Sequence, residues 1–299
     1  MATRRRRLPG AKPGGRARPT RSRRPWWKQR LVWVGGVLAA VLTATLVNVL
    51  TSQAQKTIDA ATAPRHDGPP VTVALVSVER SDEQGDTYVF ANEVELSGEE
   101  LRSLNEADQD YTNPARYHDW FRSRGGVDPG LSIVKAVLEG NRAQPVRITG
   151  MRPIKRCQAP LLGTIFDSPP AGEDASVAIG FDLDSTRPIA QAITENGGWQ
   201  GDYFAKNTVS LKPGEQQTFQ IKSKTLQHYC EYTLELSILD HGKTITQVLD
   251  NNGRPFRVTA LADEVDSGTP YRRYQAAYIG GVLRPSGGWI RVDPLTYSL

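Results

Sequence analysis

Three observations predict a mainly β protein, a β-sandwich ectodomain with a small helical insertion behind one transmembrane helix. Residues 131–262 break into short β-rich runs separated by Gly, Pro and Asn turns, the pattern of a sandwich. Residues 31–50 are twenty consecutive positions without a charge. The two cysteines, Cys157 and Cys230, both fall in predicted strands beyond that run.

The apolar run spans about 30 Å as a helix, the thickness of a bilayer's hydrocarbon core. Ahead of it, residues 1–30 hold twelve Lys and Arg and no acid, with Pro, Gly and Ala between them. Such a segment repels itself and offers too little apolar surface to fold, so it reads as a disordered tail. The one-sided basic excess places the tail in the cytoplasm and the C-terminal domain outside the cell membrane. Trp26, Trp27 and Trp33, with Lys28 and Arg30, suit the inner membrane interface and its lipid headgroups. A cleaved export signal is the alternative. Ser22–Lys28 resembles a twin-arginine motif, and Ser52-Gln53-Ala54 suits a small-residue cleavage site.

The formal charge of +5 hides two opposite parts. The 25 Lys and Arg beyond residue 30 face 32 Asp and Glu, so the remainder carries −7. That balance, and the lack of aromatics among the first 25 residues, argues against a nucleic-acid partner.

Residues 51–70 end in Asp67-Gly68-Pro69-Pro70 and read as a stalk. In 71–130, runs 71–78 (VTVALVSV) and 87–96 (TYVFANEVEL) predict strands. Ser97 with Glu100 is a capping-box signal for a short helix over 98–104. Asn113-Pro114 opens a second helix, whose Tyr117, Trp120 and Phe121 share one face for packing on a sheet. The core, 131–262, predicts strands at 132–138, 145–157, 175–183, 208–211, 217–223, 229–239, 243–249 and 255–262. Ile189, Ala192 and Ile193 stand at helical spacing, with Gly197 to end that helix. In 263–299, Tyr271, Tyr274, Tyr278, Trp289 and Tyr297 predict packing back on the sandwich, with a hairpin turn at 285–288.

The loop Leu211-Lys212-Pro213-Gly214-Glu215 and the turn Asn252-Gly253-Arg254-Pro255-Phe256 are similar to turns of extracytoplasmic immunoglobulin-like modules. With the basic tail and the anchor, the layout resembles uncharacterised actinobacterial single-pass membrane proteins. The resemblance covers roughly 131–262 and implies architecture only, since fold does not deliver function.

Pairing of Cys157 with Cys230 is favoured in an oxidising compartment. Closing that loop stabilises by roughly 4 kcal/mol in the chain-entropy model. A metal site using His228, Cys230 and His241 is the rival, but zinc-type ligand spacing is missing.

Phe181-Asp182-Leu183-Asp184-Ser185-Thr186, after the apolar run 177–179, resembles the first motif of haloacid-dehalogenase-type phosphatases. The resemblance implies Asp182 as nucleophile and Asp184 as acid–base, with magnesium. The many alternating strands of 207–262 do not suit that family's repeated strand–helix units. Gly242-Lys243-Thr244 lacks the first Gly of a phosphate loop, and no Gly-x-Ser-x-Gly or His-Glu-x-x-His pattern occurs. The sequence therefore leads to a non-enzymatic, membrane-anchored binding or scaffolding protein of the cell envelope. It has no cofactor and no metal, and its partner is a protein or another envelope component. The alternative is a phosphatase built on Asp182 and Asp184.

Overall fold

The computed structural model describes residues 68–79, 85–109, 114–168, 178–194, 197–262, 268–284 and 286–298. The basic tail, the apolar run 31–50 with Trp26, Trp27, Lys28, Arg30 and Trp33, the signal motif and most of the stalk lie outside these residues. No helix among the described residues is long and apolar enough to cross a membrane.

The described chain is mainly β, in three sheets with few helices. The first sheet contains β1 (Val71–Glu79), β3 (Leu131–Gly140), β10 (Gln216–Lys224), β6 (Ala178–Asp182), β7 (Gln191–Ile193) and β8 (Trp199–Gln200), in that spatial order. Its pairings are antiparallel except β10 with β6. The second runs β12 (Lys243–Leu249), β11 (Tyr229–Asp240), β4 (Val146–Gln158), β9 (Val209–Leu211), with β13 (Phe256–Thr259) also on β11. In β11 buried and partly exposed residues alternate along all twelve positions, as a strand with one dry face requires.

The dry faces of these two sheets share one core. Val134, Leu138, Phe181, Phe219 and Ile221 from the first meet Ile148, Tyr232, Leu234, Leu236, Ile238 and Val258 from the second. Each such side chain stabilises by about 1.5–3 kcal/mol when fully buried. One hairpin and one tight turn follow directly from turn chemistry. His241-Gly242 joins β11 to β12 with φ of 47° and 77°, and Asn252-Gly253 turns the chain towards β13 with 54° and 82°. Gly242-Lys243-Thr244 is thus a hairpin, not a phosphate loop.

The third sheet departs from the expected packing of the C-terminal aromatics. There, β15 (Ile290–Val292), β14 (Ala276–Ile279), β5 (Thr164–Asp167) and β2 (Tyr88–Phe90) form a sheet of their own. Tyr278 stacks on Phe166 at 4.4 Å between ring centroids, and Trp289 donates Nε1–H to the Tyr117 hydroxyl at 3.0 Å. Helix α1 (Gly98–Asp108) starts at the expected capping box: the Glu100 amide donates to Ser97 Oγ, and the Ser97 amide to the Glu100 carboxylate at 2.9 Å. Helix α2 (Pro114–Ser123) buries Tyr117 and Phe121 against this aromatic cluster, with Trp120 partly buried beside them.

Two expectations fail. The strand over 87–96 stops at Phe90. Beyond it, the Val94 amide donates to Thr164 Oγ1 and the Leu96 amide to Tyr278 Oη, so side chains replace a ladder. The helix over 189–197 is instead β7, because β6 takes it as neighbour (Ile179 opposite Ala192, Gly180 opposite Gln191). The Trp199 ring covers Gly180 so closely that a Cβ there would lie 2.6 Å from it. Tertiary pairing overrides the helical spacing.

Candidate functional site

Asp182 ends β6, and Asp184 lies in the turn that follows. Their environments differ sharply. The Asp184 carboxylate accepts from Thr225 Oγ1 (2.7 Å), the Leu226 amide (2.7 Å) and faces His228 Nδ1 at 2.8 Å, with its side chain 12% exposed. Burial opposes its ionisation, but the bonds from His228, Leu226 and Thr225 outweigh burial and hold its carboxyl below the ordinary 3.8. Lys155 fastens the same turn from beneath by donating to the Leu183 and Ser185 carbonyls. Asp184 is therefore a brace between the β6 turn and the loop before β11. A general acid must carry and release a proton near its working pH, and this environment favours the charged form instead.

Asp182 is more open, its side chain 41% exposed, with Lys224 Nζ at 3.9 Å. Its Oδ1 accepts the Asp184 amide at 3.1 Å, a local turn bond. Lys224 in turn sits 4.5 Å from the Trp199 ring centroid. The strand bearing the pair runs between parallel β10 and antiparallel β7.

Cys157 and Cys230 are joined in a disulfide, as the sequence led us to expect. They face each other in register on β4 and β11, so the bridge ties neighbouring strands of one sheet. Cys230 is thereby unavailable to a metal, and His228 is turned to Asp184. Among the described residues no cluster of three His, Cys, Asp or Glu could hold a metal ion.

A polar hollow lies elsewhere. A cleft of about 800 Å³ opens between α2, the end of β1, the start of β11 and β13. Such a volume falls in the range of ligand sites. Its back wall is Arg122, which donates to the Val78 carbonyl (2.7 Å), the Glu79 carbonyl (3.1 Å) and Asp128 (3.1 Å). Burial pushes the Asp128 carboxyl up, and the Arg122 guanidinium opposes that shift without reversing it. Arg122 Nε is buried with no hydrogen-bond partner. Arg254, Arg257 and Glu231 complete the rim; Glu231 accepts the Tyr229 hydroxyl at 2.9 Å.

The cleft lining contains no His or Cys; its side chains that can carry charge are Asp119, Arg122, Asp128, Glu231, Arg254 and Arg257. It brings fixed charges of both signs together in one hollow. None of these residues stood out in the sequence. They come from four separate elements, and only register places Arg257 beside Glu231.

Comparisons with known protein families, with curated proteins and with solved structures found no match to this chain.

Proposed function

We propose that this protein is a membrane-anchored, extracytoplasmic binding or scaffolding protein of the cell envelope, non-enzymatic, whose ligand enters the Arg122–Arg257 cleft. The cleft carries the reading: a hollow of about 800 Å³ with fixed charges of both signs. The disulfide supports an oxidising compartment, and the uncharged run 31–50 behind a basic tail supports an anchor with the tail inside. The shared core of the first two sheets supports an immunoglobulin-like sandwich. In antibody domains the bridge ties the two sheets, whereas here it joins neighbours in one, so the likeness lies in the layers.

Asp182 and Asp184 do not favour the phosphatase alternative, because the second is already engaged by three donors. The test is photo-crosslinking in living cells from position 123, at the cleft mouth, with position 282 as a remote control. The expected result is one adduct from 123 that is lost with Arg257→Glu. No adduct, or one indifferent to that reversal, overturns the assignment.

A further inference from the structure

The outward face of the second sheet carries an excess of arginine over glutamate. Register places Arg152 opposite Glu235, Ile154 opposite Thr233, and Arg156 opposite Glu231, which faces Arg257 on its other side. All belong to the side of β11 away from the core, because its even-numbered residues are the buried ones. Arg147 lies on the same face, opposite Leu239, and Arg254 follows the Asn252-Gly253 turn. Four arginines of this face thus meet two glutamates, although the chain beyond residue 30 carries −7.

Both glutamates are engaged. Glu235 takes Arg152 at 2.6 Å, and Glu231 takes the Tyr229 hydroxyl. Arg147, Arg156 and Arg254 form no ion pair with the described residues. Between the cations, Ile154 and Val248 stand 46% and 54% exposed. Arg152 also lines a smaller hollow of about 370 Å³ with Ile189 and Phe204, while Arg257 lines the cleft. Ser237 and Glu231, which mark these hollows on β11, are six residues or about 20 Å apart along the strand.

The neighbouring strand edge is closed to strand addition. The disulfide marks Cys157–Cys230, with Cα atoms 4.1 Å apart, as a non-hydrogen-bonded pair. Alternation makes Pro153–Leu234 another, so the absent N–H of Pro153 falls on the outer edge of β4.

We propose that this face binds an extended acidic segment of a partner protein, patterned acid–x–apolar–x–acid. The acids meet Arg152 and Arg156, and the apolar residue covers Ile154. Side chains two apart on a strand share a face, so the partner's spacing matches Arg152, Ile154 and Arg156. Guanidinium forks suit carboxylates, and the interleaved apolar residues favour a polypeptide over a uniformly charged polymer. The proposal extends the binding reading but rests on Arg152, Ile154 and Arg156, none of which lines the large cleft.

The experiment uses the full-length chain in neutral detergent micelles with a fluorescein-labelled peptide built on Glu-Thr-Val-Thr-Glu. A second copy of the peptide carries a photoreactive group at the central residue. Arg152→Glu with Arg156→Glu weakens binding about tenfold or more, and Arg272→Glu leaves it unchanged. Ile154→Thr weakens the peptide, while polyphosphate binding does not respond to it. Cross-links map to β4 and β11. Equal binding by the double variant, cross-links confined to residues 1–30, or polyphosphate binding tighter than the peptide overturns the proposal. Loss of peptide binding with the position-123 adduct retained shows the two surfaces to be separate; peptide binding by a wild-type chain that gives no position-123 adduct overturns the cleft and not this face. Thermal melting of each variant confirms that it is folded.

Discussion

Replacing Asp184 with Ala separates a bracing carboxylate from a catalytic one. The wild-type carboxylate takes three hydrogen bonds, from Thr225, Leu226 and His228, and its side chain is 12% exposed. Bonds to a charged acceptor contribute about 1.5–3 kcal/mol each when well buried. The His228 side chain is 40% exposed, so water screens this site, and about 1 kcal/mol per bond is the fitting value. The expected loss is about 3 kcal/mol, which for a folded unit of this size lowers the melting temperature by about 6–12 °C.

The pH dependence has a definite sign. The folded-state pKa lies below the ordinary 3.8, so the stabilisation is complete above that value and is lost as pH falls through the folded one. Melts of wild type and Asp184→Ala followed by circular dichroism should therefore differ by a constant amount near neutrality and approach each other only as pH falls below 3.8. A variant that melts with wild type at neutral pH refutes the brace. So does magnesium-dependent hydrolysis of a chromogenic phosphate ester by the wild type that Asp182→Asn and Asp184→Ala each abolish without loss of stability.

Three other outcomes follow from named contacts. Changing Cys157 and Cys230 together to Ala opens a loop with a sequence separation of 73 and should cost about 4 kcal/mol in guanidinium unfolding. A loss under about 1 kcal/mol would mean that β4 and β11 stay paired in the denatured chain. Arg142→Ala removes the donor that bridges Asp240 (2.8 Å) to the Gly68 and Pro69 carbonyls, leaving a buried carboxylate to His241 alone. We expect a cost of about 3 kcal/mol and faster hydrogen exchange at the Val71 end of β1; unchanged exchange would show that the Gln247 contacts to Val71 suffice there. The hydroxyls of Tyr232, Ser132 and Ser223 sit together in the core without a hydrogen bond of good geometry, so Tyr232→Phe should leave stability within about 1 kcal/mol or raise it. A loss of about 2 kcal/mol or more would reveal a bridging water.

Strand identity was legible wherever one side of a run stays wet. In 229–239 the alternation is written into the residues, and β11 covers the whole span. Turn and cap chemistry was equally local: Ser97 with Glu100 and Asn252-Gly253 act through their immediate neighbours, while Asn113 lies outside the described residues. The helix expected around Ile189 failed because its spacing is a weak local preference and β6 offered a sheet partner. The site was hidden for a related reason. Arg122, Asp128, Glu231 and Arg257 lie far apart in the chain, and no short pattern announces that they meet.

By itself, then, the sequence determined the split of charge at residue 30, the uncharged run 31–50, the mainly β character and the two cysteines available for pairing. These depend on composition and on periods of two or four residues, which every chain carries in its own order. Only the tertiary structure decided that Cys157 and Cys230 bridge neighbouring strands, that the C-terminal aromatics build a third sheet, and that Asp184 braces a turn. It also gathered the arginines of β4 and β13 onto one face. Those outcomes depend on register and strand order, and a shift of one residue would turn every one of those side chains to the other side.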